Sequence, residues 1–280
     1  MIEIIYAGNK NVLEGIRLST LSICKHCPKP LLFHVLTMDL RNVSPRYQPI
    51  TKEEIDELQN QLRTINPNVD VRLYDLTQKY LEGNKFNKDI HRSYTPYCLL
   101  RLFSYQIEGI GDKVIYLDVD TMAYGNIEEL FNIDVTDYEL AGVKDAMGKY
   151  WINPKYINSG VLLINMKKVR ETSSFEKALK YTLTHRSILI DQNAINSYCK
   201  KKLYLDNRFN NQRKMTEDTI IKHFCKVLKF LPFMHCENIK QWHFDQVRNK
   251  LHIHHFDDIY EIYFDLTKEK ERVNKNCSQR

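Results

Sequence analysis

Two aspartates, Asp118 and Asp120, follow directly on the apolar run Val114–Leu117. Side chains two positions apart in a strand point to the same side, so we expect both carboxylates to project together from the end of this strand. Carboxylates held this close repel each other unless a cation lies between them. Mg²⁺ and Mn²⁺ prefer such hard oxygen ligands and commonly bind phosphate oxygens as well. The pair therefore predicts a divalent-cation site, although a solvated strand end has the same pattern.

The segments that must position these aspartates alternate between strand and helix. IEIIYA (2–7) and LLFHVLT (31–37) are apolar runs typical of buried strands, and a helical pattern lies between them. This order indicates a right-handed βαβ unit in a parallel sheet. Thr51 and Glu54 have the spacing of a capping box, which predicts a helix over 52–65.

The alternation continues and predicts an α/β fold with a mixed, mainly parallel sheet flanked by helices. We expect a single domain over 1–265, followed by a polar, net basic tail over 266–280. Ligands of such sheets bind outside the carboxyl ends of the strands, where Asp118 and Asp120 lie. Further strands are predicted over 69–76, 112–120, 138–146 and 159–169, the last opening into a helix, and further helices over 96–107, 173–184 and 191–200.

The composition is typical of a globular protein, with 43% hydrophobic and 27% charged residues. The net charge of +6 comes without a localised basic stripe, so we expect no nucleic-acid partner. No apolar run approaches the roughly 18 residues that span a bilayer, and no secretory signal is recognisable. We therefore expect a cytoplasmic protein, and its basic tail is either a solvated chain end or a peripheral contact with the inner face of the membrane.

The seven cysteines are expected to be reduced thiols in that compartment. Cys24 and Cys27 have the spacing of a zinc-ligand pair. The residues that would have to complete such a site are His223, Cys225, His235 and Cys236. They lack a matching short-spaced cysteine pair, so zinc is the weaker hypothesis.

Five segments of the chain resemble the family 8 glycosyltransferases, in the order in which the family has them. They are IEIIYAGNKNVLEGIRLSTLSI (2–23), DKVIYLDVDTMAYGNIEELF (112–131), INSGVLLINMKK (157–168), DQNAIN (191–196) and DNRFN (206–210). The family includes glycogenin and bacterial galactosyl- and glucosyltransferases of surface-glycan synthesis. The resemblance implies a GT-A (Rossmann-like) fold, a UDP-sugar donor, Mn²⁺, and retention of the anomeric configuration.

The resemblance also implies roles for individual residues. Contacts to the donor nucleotide and its sugar fall on Ala7, Asn9, Asn11, Arg101, Asp145, Asn158 and Ser159. The metal ligands fall on Asp118, Asp120 and His255. Asp191 and Gln192 match the pair beside the anomeric carbon, and we expect them to be the catalytic residues.

The segment around His255 departs most from the family pattern, which reads HFxGxxKPW. After His255 and Phe256, Asp258 stands where glycine is expected, and Glu261 stands where a lysine meets the diphosphate. A carboxylate at that point repels a β-phosphate. Either a nearby cation supplies the missing charge, or the loop closes differently, or turnover is slow. The nearby cations are Arg248, Lys250 and Lys268.

The sequence thus predicts a retaining hexosyltransferase that moves glucose or galactose from a UDP-sugar to an acceptor, using Mn²⁺ or Mg²⁺. The acceptor is a glycan, a lipid-linked glycan or a protein. Two alternatives stay open. The altered motif at Glu261 favours a catalytically weakened nucleotide-sugar or glycan-binding module. Paired aspartates also occur in metal-dependent nucleotidyltransferases, although no Gly- and Lys/Arg-rich triphosphate loop follows the first strand.

Overall fold

The structure is a computed structural model that describes residues 1–83, 95–185, 189–229 and 235–277. Its strands are β1 (Ile2–Ala7), β2 (Leu31–Thr37), β3 (Val69–Asp75), β4 (Lys113–Leu117), β5 (Thr121–Ala123), β6 (Leu140–Lys144), β7 (Ile157–Asn165), β8 (Lys202–Leu205), β9 (Ile221–His223), β10 (Val227–Lys229) and β11 (His235–Glu237). Seven of them form a sheet in the order β3-β2-β1-β4-β7-β6-β8. Two further pairs, β5 with β9 and β10 with β11, stand apart from it.

The sheet is mixed and mainly parallel, which confirms the predicted fold class. β1 pairs in parallel with β2 and with β4, and β2 pairs in parallel with β3. β7 runs antiparallel to both β4 and β6, and β6 pairs in parallel with β8. The apolar sequences of β1 and β2 follow from this arrangement, because these strands are buried on both faces.

The helices are α1 (Leu13–His26), α2 (Lys52–Arg63), α3 (Thr77–Gly83), α4 (Glu128–Phe131), α5 (Gly148–Trp151), α6 (Met166–Thr172), α7 (Ser174–Thr184), α8 (Ile190–Tyr198), α9 (Phe244–Asn249) and α10 (Asp257–Cys277). In the described ranges, 3₁₀ helices cover Lys10–Val12, Pro96–Gln106 and Asn207–Phe209. The predicted capping box is present at α2. Thr51 Oγ1 accepts a hydrogen bond from Glu54 N (3.3 Å), and Glu54 Oε2 accepts one from Thr51 N (3.0 Å).

The boundary predicted between residues 265 and 266 falls inside a helix. α10 continues through it to Cys277, and residues 278–280 lie outside the described part of the chain. Within that described part, none of the helices is long and apolar enough to cross a lipid bilayer.

Two hydrophobic clusters cover the two faces of the sheet. Neighbouring residues of β1 face opposite clusters, with Ile4 in one and Ile5 in the other, as the pleat of a strand requires. α1, α2 and α10 pack on the first face, while the helix Pro96–Gln106, α7 and α8 pack on the second.

The antiparallel pairing of β4 and β7 creates the site described next. Leu117 at the end of β4 is paired with Val161 of β7, and Asp118 N donates a hydrogen bond to Gly160 O (2.7 Å). The residues just after β4 therefore lie beside those that begin β7. The carboxyl end of β1 lies at the same edge, because β1 pairs with β4 in parallel.

Candidate active site

A cavity of about 550 Å³ lies at this edge of the sheet. It is lined by every predicted site residue except His255. These are Ala7, Asn9, Asn11, Arg101, Asp118, Asp120, Asp145, Asn158, Ser159, Asp191 and Gln192. The lining also includes Lys240 and Trp242, to which the sequence interpretation gave no role, and His223, which it considered only for a zinc site.

Asp118, Asp120 and His223 meet at one point of the cavity. Their ligand atoms all lie within 4.8 Å of one another, and no other group of this kind occurs among the residues that the structure describes. His223 Nε2 lies 3.2 Å from Asp120 Oδ1 and 4.0 Å from Asp118 Oδ2. The structure gives no support to a zinc site at Cys24 and Cys27. Both thiols are buried, and neither belongs to a group of metal-ligating side chains within the described ranges.

Asn210 fixes the orientation of the His223 ring. The Asn210 amide donates through Nδ2 to Asn158 Oδ1 (2.9 Å), so its Oδ1 faces His223 Nδ1 at 3.1 Å and accepts the ring proton. Nε2 then faces the two carboxylates: with a proton it can donate to Asp120, and without one its lone pair can bind a metal ion. In the second case three donor atoms are aimed at one point, where a cation can bind. This donor set of two carboxylates and one oriented imidazole therefore fits a divalent metal ion.

The approach of His223 to Asp118 depends on Gly160. A Cβ atom at Gly160 would lie 2.3 Å from His223 Cε1 and 2.7 Å from Asp118 Oδ2. Both distances are far shorter than van der Waals contact, so any side chain at this position displaces one of the two groups.

His255, the third metal ligand predicted from the resemblance, is not part of this cluster. Its ring lies edge-on against Tyr124, with the ring centroids 5.1 Å apart, and its buried Nδ1 has no hydrogen-bond partner among the residues that the structure describes. His255 precedes α10, which packs against α1, whereas His223 ends β9 beside the strand that follows Asp120. The structure therefore brings His223, and not the predicted His255, together with Asp118 and Asp120.

The HFxGxxKPW pattern can be traced through the cavity once His223 is taken as its start. Phe224 follows His223, and Lys240 and Trp242 line the same cavity further along the chain. In the pattern the lysine lies six positions after the histidine, and Lys229 has this spacing from His223. Lys240 lies seventeen positions after His223, beyond the antiparallel pair β10 and β11, and it contacts Asp120. A lysine is therefore present at the cavity, although Glu261 takes the place of lysine after His255.

Lys240 binds the metal-site carboxylate directly. Its Nζ contacts Asp120 Oδ2 and donates a hydrogen bond to Phe224 O (2.8 Å). Burial alone would raise the pKa of Asp120, but the neighbouring His223 and Lys240 hold it well below its usual value. Asp120 is therefore ionised at neutral pH and paired with a cationic side chain.

Arg101 links the metal cluster to the predicted catalytic pair. Its buried guanidinium lies 2.8 Å from Asp118 Oδ1 and 3.2 Å from Asp191 Oδ2, and it donates to Ser159 O (2.6 Å). It also lies over the ring of Tyr116, 4.3 Å from the centroid. Burial raises the pKa of the Asp191 carboxyl, although the positive charge of Arg101 opposes this. One side chain thus fixes two carboxylates that come from different parts of the chain.

Gln192 and Asp145 form a hydrogen-bonded network at the end of the cavity away from β1. Gln192 Oε1 accepts from Ser159 N (2.9 Å), and its Nε2 donates to Asp145 Oδ2 (3.2 Å). The same Asp145 oxygen accepts from Asn158 Nδ2 (2.9 Å). Burial alone would raise the pKa of Asp145, but these hydrogen bonds lower it below its usual value. The network holds a negative charge and an amide carbonyl in fixed positions.

The opposite end of the cavity is formed by the loop after β1. Asn9 Nδ2 and Asn11 Nδ2 both donate to Arg46 O, at 3.2 and 2.8 Å. Trp242 packs against Gly15 of α1, where a Cβ atom would lie 2.5 Å from the indole ring. Ala7, Asn9 and Asn11, the predicted uracil and ribose contacts, thus share one end of the cavity with an aromatic side chain.

Comparison with known proteins gives consistent results. The family model of glycosyl transferase family 8 matches residues 3–256. A putative glycosyltransferase of Haemophilus influenzae is 29% identical over 86% of this chain and 73% of its own length. The lipopolysaccharide 1,2-glucosyltransferase of Escherichia coli is 24% identical over 81% of this chain and 72% of its own length. The structure of the galactosyltransferase LgtC with donor and acceptor sugar analogues superposes with a TM-score of 0.66 at 21% identity, covering 95% of this chain and 96% of that one. At this identity the superposition shows the GT-A fold alone.

Proposed function

The chain belongs to glycosyl transferase family 8, and we propose that it transfers glucose or galactose from a UDP-sugar to a carbohydrate-bearing acceptor, with retention of the anomeric configuration. The observation that carries the proposal is the convergence of Asp118, Asp120 and His223 in the cavity, beside Lys240. The acceptor is a glycan, a lipid-linked glycan or a protein. A glucosyltransferase and a galactosyltransferase are both among the similar proteins, which supports a hexose.

Asp118, Asp120 and His223 would hold the divalent ion, Mn²⁺ or Mg²⁺. Such an ion neutralises negative charge on the diphosphate and fixes its position, a contribution typically of several kcal/mol to lowering the barrier. Asn210 would support metal binding without contacting the ion, because its hydrogen bond to His223 Nδ1 keeps the Nε2 lone pair directed at the carboxylates.

Lys240 supplies a second positive charge for the donor. Its ammonium group already lies at Asp120, so it can exchange this partner for a diphosphate oxygen when the donor binds. A charged hydrogen bond of this kind stabilises the departing diphosphate more than the intact donor, because the charge on the phosphate grows as the bond breaks.

At the sugar end, Asp191 and Gln192 face the anomeric carbon. The carboxylate of Asp191 and the amide oxygen of Gln192 place negative charge near a sugar that becomes oxocarbenium-like. Arg101 fixes Asp191, and Ser159 fixes Gln192, so neither group needs to reorganise during the reaction. Asp145 and Asn158, which are hydrogen-bonded to each other, would bind sugar hydroxyls.

In the proposed reaction the bond between C1 and the diphosphate oxygen breaks, and its electron pair stays on UDP. The acceptor oxygen bonds to C1 from the face that UDP leaves, and its proton passes to the departing phosphate oxygen. Asp191 acts as a fixed negative charge, since it is 5% exposed and its Oδ2 is paired with Arg101. Trapping of a sugar on Asp191 would instead support a covalent intermediate.

The two alternatives now have less support. The binding-module hypothesis rested on the loss of a lysine at Glu261, and Lys240 removes that reason. The nucleotidyltransferase hypothesis rested on the paired aspartates alone, and the family match accounts for them.

The direct test is release of UDP from UDP-glucose and from UDP-galactose, with Mn²⁺ and with EDTA. We expect release that depends on the metal and favours one donor, and that donor identifies the transferred sugar. Release that is equal with EDTA, or binding of both donors without release in the presence of a broad glycan panel, contradicts the proposal.

A further inference from the structure

Three consecutive side chains of the loop between β6 and β7 project into solvent. Tyr150, Trp151 and Ile152 are 76%, 75% and 54% exposed, and we call them the aromatic platform. No other run of three large apolar residues is exposed in this way in the described ranges. Adjacent exposed apolar side chains on a folded protein usually mark an interaction site.

The aromatic platform is continuous with the cavity. The loop that carries it begins with Asp145, Ala146 and Met147, all of which line the cavity. Asp145 accepts hydrogen bonds from Asn158 and Gln192, which places the start of the loop at the proposed sugar end. The platform therefore lies beyond the donor sugar and away from the nucleotide end.

The loop is held in one conformation by its own hydrogen bonds. Asp145 Oδ1 accepts from Met147 N (3.0 Å) and Gly148 N (2.6 Å), and Trp151 N donates to Met147 O (3.1 Å). A Cβ atom at Gly148 would lie 2.4 Å from the Tyr156 ring, so the loop packs closely on itself. A surface that is already ordered loses little conformational entropy when it binds a partner.

A second contact fixes the loop to the neighbouring wall of the cavity. Gln212 Oε1 accepts from Ala146 N (2.9 Å), its Nε2 donates to Lys144 O (3.1 Å), and Arg213 Nη2 lies 3.6 Å from Met147 Sδ. The base of the platform is thus part of the cavity wall.

We propose that the aromatic platform binds a sugar residue of the acceptor glycan, next to the residue that receives the transferred hexose. This rests on the proposed function, because an acceptor must approach from the end of the cavity that the nucleotide does not fill. The faces of Tyr150 and Trp151 are suited to the apolar C–H face of a pyranose ring, while their polar edges stay hydrated. Lys149 Nζ, 5.0 Å from the centroid of the Tyr150 ring, offers a hydrogen-bond donor beside them. The acceptor is accordingly an oligosaccharide chain.

A membrane surface is the competing occupant, since Tyr and Trp also favour the lipid–water interface. The observations favour a glycan. The platform is joined to the cavity wall through Asp145–Met147, and α5 has four residues, too few for the amphipathic stripe of a membrane-binding helix.

The test uses the full chain on an array of bacterial oligosaccharides, with UDP and Mn²⁺ present. We expect the wild type to bind a subset of the glycans, Trp151→Ala to bind them at least about 10-fold more weakly, and Trp151→Phe to recover part of the binding. Phe264→Ala removes an exposed ring on α10 and serves as the matched control, with wild-type binding expected. Basal UDP release from the donor is expected to be unchanged in Trp151→Ala.

Vesicles of phosphatidylglycerol and phosphatidylethanolamine test the competing occupant in parallel. The proposal is overturned if the wild type binds no glycan on the array or if Trp151→Ala binds glycans as well as the wild type does. Loss of vesicle binding in Trp151→Ala with unchanged glycan binding assigns the platform to a membrane. Absence of metal-dependent UDP release in the wild type contradicts the proposed function, whereas normal release with unaltered glycan binding contradicts only the platform.

Discussion

His223 Nε2 lies 3.2 Å from Asp120 Oδ1, although 103 positions separate the two residues in the sequence. The pairing of β5 with β9 brings them together, because β5 begins just after Asp120 and His223 ends β9. The proposed metal site is therefore assembled by a two-stranded sheet outside the main one. This arrangement leads to predictions that separate the proposed site from the one expected around His255.

Replacement of either metal-site aspartate is expected to reduce UDP release. Asp118→Asn and Asp120→Asn each remove one negative ligand, and we expect activity to fall by about 10–100-fold or more. Asp137→Asn, at an exposed position outside the cavity, is the matched control. Near-wild-type rates in both site variants would rule out the metal assignment.

Two substitutions, one at Lys240 and one at Glu261, test which of these positions contacts the diphosphate. Lys240→Met removes a charged hydrogen bond, and we expect kcat/KM for the donor to fall by about 10–100-fold. Glu261→Lys introduces the lysine of the family pattern at its spacing from His255. We expect it to change kcat/KM little because Glu261 does not line the cavity. Steady-state kinetics with the preferred donor measure both. A gain of activity in Glu261→Lys would show that the pattern belongs at His255 after all.

Gln192 is expected to act on turnover more than on donor binding. Gln192→Ala removes the carbonyl oxygen that Ser159 N holds in place, and we expect kcat to fall on the order of 10²-fold with donor affinity largely kept. Exposed Gln246→Ala serves as the control. An effect confined to donor affinity would remove Gln192 from a catalytic role.

Stability is expected to depend on pH through His34, far from the active site. This side chain is fully buried in β2, with Nε2 2.9 Å from Glu3 Oε2 and Nδ1 3.1 Å from Tyr74 OH. Burial lowers the pKa of His34 below its usual value, although Glu3 opposes the effect. The stabilisation from a neutral His34 is thus complete above the unfolded pKa of about 6.5 and is lost as the pH falls below it.

Urea denaturation between about pH 7 and pH 5 measures this effect. We expect the free energy of unfolding to fall more steeply with decreasing pH in the wild type than in His34→Gln, which has no titrating group at this position. Parallel pH profiles for the two proteins would show that His34 does not titrate differently in the folded state.

Most of the fold could be predicted because local patterns and tertiary structure agree. The apolar runs 2–7 and 31–37 are β1 and β2 with the same bounds, and Thr51 caps α2 as its spacing indicates. The helix predicted over 96–107 is a 3₁₀ helix over Pro96–Gln106. Periodicity alone did not distinguish the two helix types.

The sequence interpretation placed the third metal ligand at His255 because the His-Phe dipeptide recurs along the chain. The dipeptide His-Phe occurs at 223, 243 and 255, and only the first is placed beside the aspartates. The sequence did contain a signal, since Lys229 lies six positions after His223, as the pattern requires, whereas Glu261 stands at that spacing from His255. Comparison of the three His-Phe positions by this spacing favours His223, the histidine that the structure places beside the aspartates.

Binding of Mn²⁺ in the presence of UDP, followed by electron paramagnetic resonance, tests the central claim most directly. The account predicts that His223→Ala weakens Mn²⁺ binding by about 10–100-fold, whereas His255→Ala binds Mn²⁺ as the wild type does. Weak binding in His255→Ala together with wild-type binding in His223→Ala would contradict it.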